Sequence, residues 1–494
     1  MEMLPVEVYS AAQVRAMDRH AIEVAGIPGY VLMQRAGAAA LECLGRAWPD
    51  ARRIAVVCGA GKNGGDGYVL ARLARAAGLE VSVAALVDPA RLTGDAARAL
   101  ADFTAAGGRA QPYTAQALAG CAPVVDALLG TGLDRPVAGA LRDCIEAVNA
   151  SGLPVLALDL PSGLDADTGH ARGAAIVATR TITFVGLKSG LFLGEAREFT
   201  GALEFAGLGV PATARQGMTP VLRRMEPGLL AAALPRRRRG AHKGDNGRVL
   251  IVGGHAMAGA ARLAGEAALR AGAGLVAVAT TAAAAAAIVG RRPELICHAV
   301  TTAAKLRPLL AAADAVAIGP GLGLDRRAKL LLEGALAARK PSVVDADALT
   351  LAAQRPRRRG HWILTPHPGE AARLLQSKTA AVQRDRLAAL GAIERRYGGV
   401  CVLKGAGTLV SSATGPPWIC DRGNPGMATA GAGDVLTGVI VALLAGGANP
   451  ELAAAAGVLL HAMAGDRAAV PGERGVIAGD LVAELRRAAQ PPWN

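Results

Sequence analysis

Two α/β domains in series are predicted by three features of the chain. Apolar, strand-like runs recur in both halves, glycine-rich turns follow them, and the length of 494 residues exceeds one ordinary core. Hydrophobic residues make up 52% and charged residues 19%, which excludes a largely disordered chain. With aromatics at only 3%, the cores must be built from Ala, Val and Leu with close packing at Gly. The same scarcity disfavours the stacking platforms of nucleic-acid binders.

A formal charge of +14 invites a nucleic-acid or membrane reading, but the cations are mostly Arg scattered through an Ala- and Gly-rich chain. Neither partner is expected, and a positive field suits anionic nucleotides instead. Seven Cys, an odd number without a CxxC pair, imply reduced thiols and a cytoplasmic location rather than a disulfide framework or zinc site. The opening MEMLPVEVYS has no basic segment followed by an apolar run, so no signal peptide is expected. Residues 271–290 are free of charge and nearly long enough to span a membrane, yet Gly272 and Gly274 interrupt them and LVAV at 275–278 reads as a strand before an Ala-rich helix.

Ser10 followed by Gln13 is a capping-box pattern that opens a helix to about Ala25, with Val14, Met17 and Ala21 on one face. From Ile54, IAVVCG reads as a buried strand, Gly59 to Gly67 as a glycine-rich turn, Tyr68 to Ala77 as helix, and Val81 to Val87 as strand: a βαβ unit. The alternation continues with a helix near 95–105, a strand at 124–129, a helix near 141–149, and strands at 155–160 and 181–187. The first domain then spans residues 1–215 and the stretch 216–242, carrying PRRRRG at 235–240, is a linker with a solvated charge run. The second domain, 243–494, restarts with RVLIVGG at 248–254 and has strand-like runs at 315–318, 342–345, 363–365 and 400–403. The halves show no convincing internal repeat.

In the first domain, GKNGGDG at 61–67 offers backbone N–H groups to a phosphate, and Asn63 and Asp66 add oxygen donors. It is neither a dinucleotide fingerprint nor a Walker loop, and a plain tight turn is the bland alternative. Asp126 ends a strand before the loop Gly130 to Pro136, and Asp159 ends another before Pro161, Ser162 and Gly163. Carboxylates at the C-terminal ends of adjacent parallel strands converge on one crevice. Oxygens without His or Cys favour a hard cation such as potassium, sodium or magnesium.

In the second domain the densest signal is NPGMATAGAGDVLTG at 424–438. The turn at 431–434 opens an apolar helix over 435–444, so its N-terminus makes an anion site and carries Asp434 to it. Asp434 can take the proton of a hydroxyl under phosphorylation, or it is merely a helix cap. KGAGT at 404–408 follows the strand VCVL as a phosphate cradle of backbone amides, the Lys404 ammonium and the Thr408 hydroxyl. Small residues at 258–261, the loop IGPGLG at 318–323, and His367 held between two prolines in TPHPGE complete the candidate surfaces.

The first set resembles the N-terminal domain of the NAD(P)H-hydrate epimerases, over roughly residues 10–215. The second resembles the ribokinase-like superfamily and, within it, the ADP- or ATP-dependent NAD(P)H-hydrate dehydratases: GPGLG, TPHPGE, KGAGT and NPGMATAGAGD stand in that branch's order over about 240–490. The resemblance implies a Rossmann-like three-layer αβα sandwich followed by a ribokinase-like α/β domain. It implies that Lys62, Asn63, Gly64, Gly65 and Asp66, with Gly130, Thr131, Gly132, Leu133, Asp134, Arg135 and Pro136, embrace the hydrated dinucleotide. Asp159 would touch it as the acid/base group, and Asn63, Asp126 and Ser162 would hold K+. In the second domain Lys404, Gly405, Ala406, Gly407, Thr408 and Gly433 would bind ADP or ATP with Mg2+. Ala260, Gly321, Gly323, His367 and Asp434 would contact the hydrate, with Asp434 catalytic.

One departure stands out: the epimerases usually have Asn where this chain has Lys62. Lys188, in LKSG, is read either as a further site residue or as a surface lysine. The implied activity is repair of NADHX and NADPHX by a cytoplasmic homo-oligomer. A kinase for a vitamin-like alcohol, and a non-catalytic first half, are the competing readings.

Overall fold

The chain divides into two compact units, Met1–Leu222 and Arg223–Asn494, and the computed structural model describes residues 3–490. In the first unit the strands are β1 (Glu7–Tyr9), β2 (Arg53–Cys58), β3 (Glu80–Ala85), β4 (Ala110–Pro112), β5 (Val124–Ala127), β6 (Val155–Leu158), β7 (Arg180–Phe184), β8 (Leu187–Lys188) and β9 (Ala202–Ala206). The helices are α1 (Ala11–Glu23), α2 (Gly29–Ala47), α3 (Lys62–Ala76), α4 (Gly94–Ala105), α5 (Gly139–Ala150) and α6 (Ala196–Phe199). Seven strands form one sheet in the order β4-β3-β2-β5-β6-β7-β9, every pairing parallel. Two apolar clusters form its cores, one holding Val56, Tyr68 and Phe103, the other Val57, Ile145 and Ile176.

That order places the site. From β2 the chain winds outward through β3 and β4, then returns to β5 on the other side and winds the opposite way. The crevice beyond the C-terminal ends of β2 and β5 is therefore a topological switch point, where such sheets leave room for a ligand.

The capping box at Ser10 forms as expected: its Oγ accepts from the Gln13 N–H at 3.2 Å, and the Gln13 amide oxygen accepts from the Ser10 N–H at 2.9 Å. The glycine run after β2 departs from expectation. Helix α3 begins at Lys62, not near Tyr68, and none of Gly61, Gly64, Gly65 and Gly67 is left-handed. These glycines serve close approach instead. A Cβ on Gly64 would lie 2.1 Å from the Gly59 carbonyl oxygen, and one on Gly67 would lie 2.5 Å from Ala127 Cβ. Helix α2, which carries no punctuation at its start beyond Pro28, has no counterpart in the sequence reading.

In the second unit the strands are β10 (Leu222–Arg224), β11 (Arg248–Val252), β12 (Leu275–Thr280), β13 (Ile296–Ala299), β14 (Ala315–Ile318), β15 (Ser342–Val344), β16 (Trp362–Leu364), β17 (Val400–Leu403), β18 (Thr408–Val410) and β19 (Trp418–Cys420). The helices are α7 (Gly228–Ala233), α8 (Ala258–Ala271), α9 (Ala282–Val289), α10 (Ala303–Ala312), α11 (Arg326–Ala337), α12 (Ala346–Gln354), α13 (Pro368–Leu375), α14 (Thr379–Arg384), α15 (Arg386–Tyr397), α16 (Ala432–Ala445), α17 (Pro450–Ala468) and α18 (Ala478–Ala488). The strand order is β13-β12-β11-β14-β15-β16-β17-β18-β19-β10, parallel as far as β17 and antiparallel at β17–β18 and β18–β19. A second switch point thus lies between β11 and β14.

The stretch 216–242 is more structured than a linker, because Met225, Leu230 and Ala233 are buried in the core of the second unit. Helix α16 is buried along almost its whole length and packs on α8 through Gly438, whose Cβ would lie 2.0 Å from the Ala264 carbonyl oxygen. Residues 275–280 and 282–289 form the expected strand and Ala-rich helix. Among the described residues no helix is long and apolar enough to cross a membrane, and all seven cysteines are free.

Candidate functional sites

In the first unit a cavity of about 380 Å³ lies at the switch point. Its walls are α1, α2, the first turn of α3, the loop after β5, Asp159 after β6, and the β7–β8 turn. Lys62, Asn63, Asp66, Gly130, Thr131, Gly132 and Asp159 are brought together around it. Asp134, Arg135 and Pro136 are exposed and Leu133 is half-buried against the α5 side of the sheet; none of the four lines the cavity. Gly64 and Gly65 pack behind it, against Gly59 and Met33.

Asp159 adopts a left-handed backbone with φ 66°, as does Val185 on the same wall with φ 66°. Asp tolerates that conformation, whereas for a β-branched residue it is strained, a state that clusters at functional sites. The Asp159 Oδ1 atom is ion-paired to the Lys188 ammonium, which also donates to Thr183 Oγ1 at 3.0 Å and the Phe184 carbonyl at 2.9 Å. Lys188 is only 1% exposed, so it is a site residue and not a surface lysine. The other oxygen, Oδ2, faces Gly130, where a Cβ would sit 3.2 Å away.

Beneath this wall Ser162 donates from its backbone N–H and its hydroxyl to Asp126, at 2.8 and 2.6 Å, and its Oγ accepts from the Leu129 N–H at 2.8 Å. Burial pushes the Asp126 carboxyl up to about 6, against those hydrogen bonds. Asn63, buried against Gly130, has no partner for either its amide oxygen or its nitrogen. An orphaned amide oxygen beside a buried carboxylate and a hydroxyl is a donor set that fits an alkali cation. Among the described residues no group of three or more His, Cys, Asp or Glu side chains could hold a metal.

In the second unit, strand-end residues again converge. The Lys404 ammonium, after β17, lies 2.9 Å from Asp345 Oδ1 and 3.7 Å from Glu370 Oε2. The Thr437 hydroxyl donates to the other Asp345 oxygen at 2.7 Å. Burial works against charge on both partners, but the pair holds Lys404 above its ordinary range and Asp345 below its own. The first turn of α16 rests on this pair: a Cβ on Gly433 would lie 3.3 Å from Lys404 Nζ. Asp434, in that turn, is pushed up to about 7 by burial, then by Asp345, with Lys404 opposing.

The turn Lys404–Thr408 joins β17 to β18, with Gly405 and Gly407 both left-handed. Arg386 holds it from behind, donating to the carbonyls of Leu403, Lys404 and Gly407 at 3.1, 3.3 and 3.2 Å. The Thr408 hydroxyl is turned to the Gly405 carbonyl at 2.9 Å. Gly321 accepts from the N–H groups of Ala256 and Met257 at 2.9 and 3.3 Å, tying its loop to the start of α8, where Ala260 lies. Gly323 donates its N–H to Asp347 at 2.8 Å. His367 caps α13, its Nδ1 accepting from Gly369 at 3.0 Å, and stays half-exposed with Nε2 3.6 Å from Glu370.

Sequence reasoning missed Asp345, although it ends β15 as Asp126 and Asp159 end their runs, and the same strand-end rule would have found it. It also missed His461, which meets the Ala432 carbonyl at 2.9 Å and which burial holds down at about 4. Nothing in its helical surroundings signals it.

A family model described as NAD(P)H-hydrate dehydratase matches residues 249–487, and one described as YjeF-related protein N-terminus matches residues 29–190. The bifunctional NAD(P)H-hydrate repair enzyme of Coxiella burnetii is 46% identical over 98% of this chain and 99% of its own length. That of Escherichia coli K12 is 45% identical over 99% of this chain and 95% of its own. A solved ribokinase-like superfamily protein from Enterococcus faecalis V583 is 30% identical, with a TM-score of 0.50, over 56% of this chain and 96% of its own. Over nearly its full length, then, the chain belongs to the family of bifunctional NAD(P)H-hydrate repair enzymes.

Proposed function

We propose that the first unit interconverts the R and S epimers of NADHX and NADPHX. The second unit dehydrates the S epimer to NADH or NADPH with ADP or ATP, releasing AMP or ADP and phosphate. The observation that carries the second half is Asp434, a carboxyl raised to about 7 in a helix-opening turn seated on the Lys404–Asp345 pair. A base poised near the working pH suits a hydroxyl that must lose its proton while attacking a phosphoryl group.

Hydroxide is a poor leaving group and phosphate a good one. Asp434 takes the hydroxyl proton as the oxygen attacks the terminal phosphorus, and the N–H groups around Gly433 face the charge on the transferred group. The ring nitrogen lone pair then expels phosphate, and loss of a proton from the neighbouring carbon restores the ring double bond. Lys404 through Thr408 bind the nucleotide, while Ala260, Gly321, Gly323 and His367 contact the hydrate. Mg2+ bound with the nucleotide would offset phosphate charge. Bound to Asn63, Asp126 and Ser162, K+ would supply positive charge beside the first turn of α3. In the epimerase pocket Lys62, Asn63 and Asp66 with Gly130, Thr131 and Gly132 embrace the dinucleotide, with Lys62 adding a cation where relatives in that family usually carry Asn.

The test supplies an epimeric mixture of the hydrate with ADP or ATP and follows both epimers. Consumption of both with regeneration of a near-ultraviolet-absorbing reduced cofactor is expected. A stable phosphorylated product would instead identify a kinase.

A further inference from the structure

Epimerisation by loss and re-addition of water at a carbon that bears a hydroxyl needs proton traffic on two faces of the ring, yet the reading above gives the first unit one acid–base group. The cavity wall opposite in sequence is α1. Val14, Arg15, Asp18 and Ile22 line the cavity at helical spacing, so one face of α1 forms that wall. Arg15 fastens it there, donating to the Thr131 carbonyl at 2.9 Å within the loop that follows β5. One turn on, Asp18 reaches the same cavity as Asp159 and Lys188. Among the described residues no hydrogen bond or ion pair ties up its carboxyl group, and it caps no helix. A half-buried acid with no structural partner calls for a ligand. The family match to the N-terminal region begins at residue 29 and so assigns nothing to it.

We propose that Asp18 is a second catalytic residue of this pocket, giving a proton to the ring hydroxyl while Asp159, ion-paired to Lys188, takes one from the water that attacks the other face. The inference rests on the epimerase reading. Taking the Asp18 proton, the hydroxyl leaves as water with the C–O electron pair, and the ring nitrogen lone pair closes a C=N bond. The resulting iminium is a cation, formed in a cavity lined by Asp18, now ionised, and by Asp159. A second water then adds to the carbon, the C=N pair returns to nitrogen, and the water's proton passes to Asp159 Oδ2, the oxygen not engaged by Lys188. One water leaves, one enters, and a proton has moved from Asp18 to Asp159. The reverse epimerisation runs with the roles exchanged, or exchange with solvent resets the pair. Burial raises the Asp18 carboxyl above its ordinary range, with Lys62 and Lys188 opposing and Asp159 reinforcing, as suits the acid of the two.

The experiment compares the full-length wild type with Asp18→Asn in water enriched in ¹⁸O, measuring epimer interconversion, ADP-dependent dehydration of the S epimer and isotope content. Wild type should gain one solvent oxygen per inversion. Asp18→Asn should lose ~10²–10⁴-fold in kcat for interconversion, with KM changed less than about threefold and dehydration unchanged. A merely structural aspartate would raise KM and lower the unfolding midpoint along with kcat, and Asp18→Glu would then rescue no rate. Interconversion by Asp18→Asn within threefold of wild type, or inversion with the original oxygen retained, overturns the proposal. Wild type that interconverts nothing would instead overturn the epimerase reading, a result distinct from an active mutant.

Discussion

The two units wind their sheets identically around a switch point: β4-β3-β2-β5-β6-β7 in the first and β13-β12-β11-β14-β15-β16 in the second. Each pairs a lysine with an aspartate at the C-terminal end of a strand, Lys188 with Asp159 and Lys404 with Asp345. The difference lies in which carboxyl group is left to react. In the first unit the paired aspartate itself faces the cavity through its free oxygen. In the second, Asp345 is spent on Lys404 and Thr437, and the reactive candidate is a third group, Asp434, whose proton affinity Asp345 helps to raise. One structural device thus orients an acid–base group directly in one unit and tunes a neighbour in the other.

The sharpest way to break this comparison is to remove each reactive group in the full chain. Asp434→Asn should lower dehydration ~10²–10⁴-fold and leave epimerisation intact, and Asp159→Asn should do the reverse. Assays of both reactions on both variants check it, and equal dehydration by wild type and Asp434→Asn would refute the assignment.

Removing the lysines should separate tuning from reaction. Asp345 has 2% side-chain exposure and Asp159 has 16%. Lys404→Met therefore strands a buried charge and should cost about 3–5 kcal/mol of stability in the second unit, read by denaturant unfolding. Lys188→Met should act mainly on rate, with epimerisation falling at least about tenfold, equivalent to ~1.4 kcal/mol of lost transition-state stabilisation.

The pH dependence sharpens the tuning claim. As the proposed base Asp434 works in its ionised form, and burial pushes its carboxyl up to about 7, so dehydration should fall by up to tenfold per pH unit below that value and level off above it. Asp345→Asn removes a negative neighbour and should move this limb to lower pH, whereas Lys404→Met should move it higher. A profile that ignores both changes would sever Asp434 from the pair. The smallest effect is expected of Gly130→Ala. Its backbone tolerates Ala, but the new Cβ crowds Asp159 Oδ2 at 3.2 Å, so KM for the hydrate should rise several-fold with little change in unfolding midpoint.

The architecture was legible because it rests on local signals: buried β-branched runs, the Ser10 capping box, and glycines after strands. The convergence of Asn63, Gly130 and Asp159 followed from the strand-end rule. What escaped depends on tertiary packing. GKNGGDG reads as a loop because glycine disfavours helix, yet α3 accepts its cost so that Gly64 and Gly67 can approach backbone and sheet closely. Helix α2 and Asp18 carry no local punctuation that marks them as cavity walls. Lys188 could not be told from a surface lysine, since only its partners Asp159, Thr183 and Phe184, distant or adjacent in sequence, decide the matter.

Arg386 bears on how the second unit meets its nucleotide. Burial holds this guanidinium down to about 10, and it clamps two carbonyls of the Lys404–Thr408 turn and that of Leu403 just before it through the protein's own bonds. The turn is thereby set before any phosphate arrives, so little loop entropy is lost on association. Amide hydrogen exchange at Gly405 and Ala406, exposed N–H groups with no acceptor among the described residues, should be fast in the free protein and slow once nucleotide is added, without rearrangement of the turn.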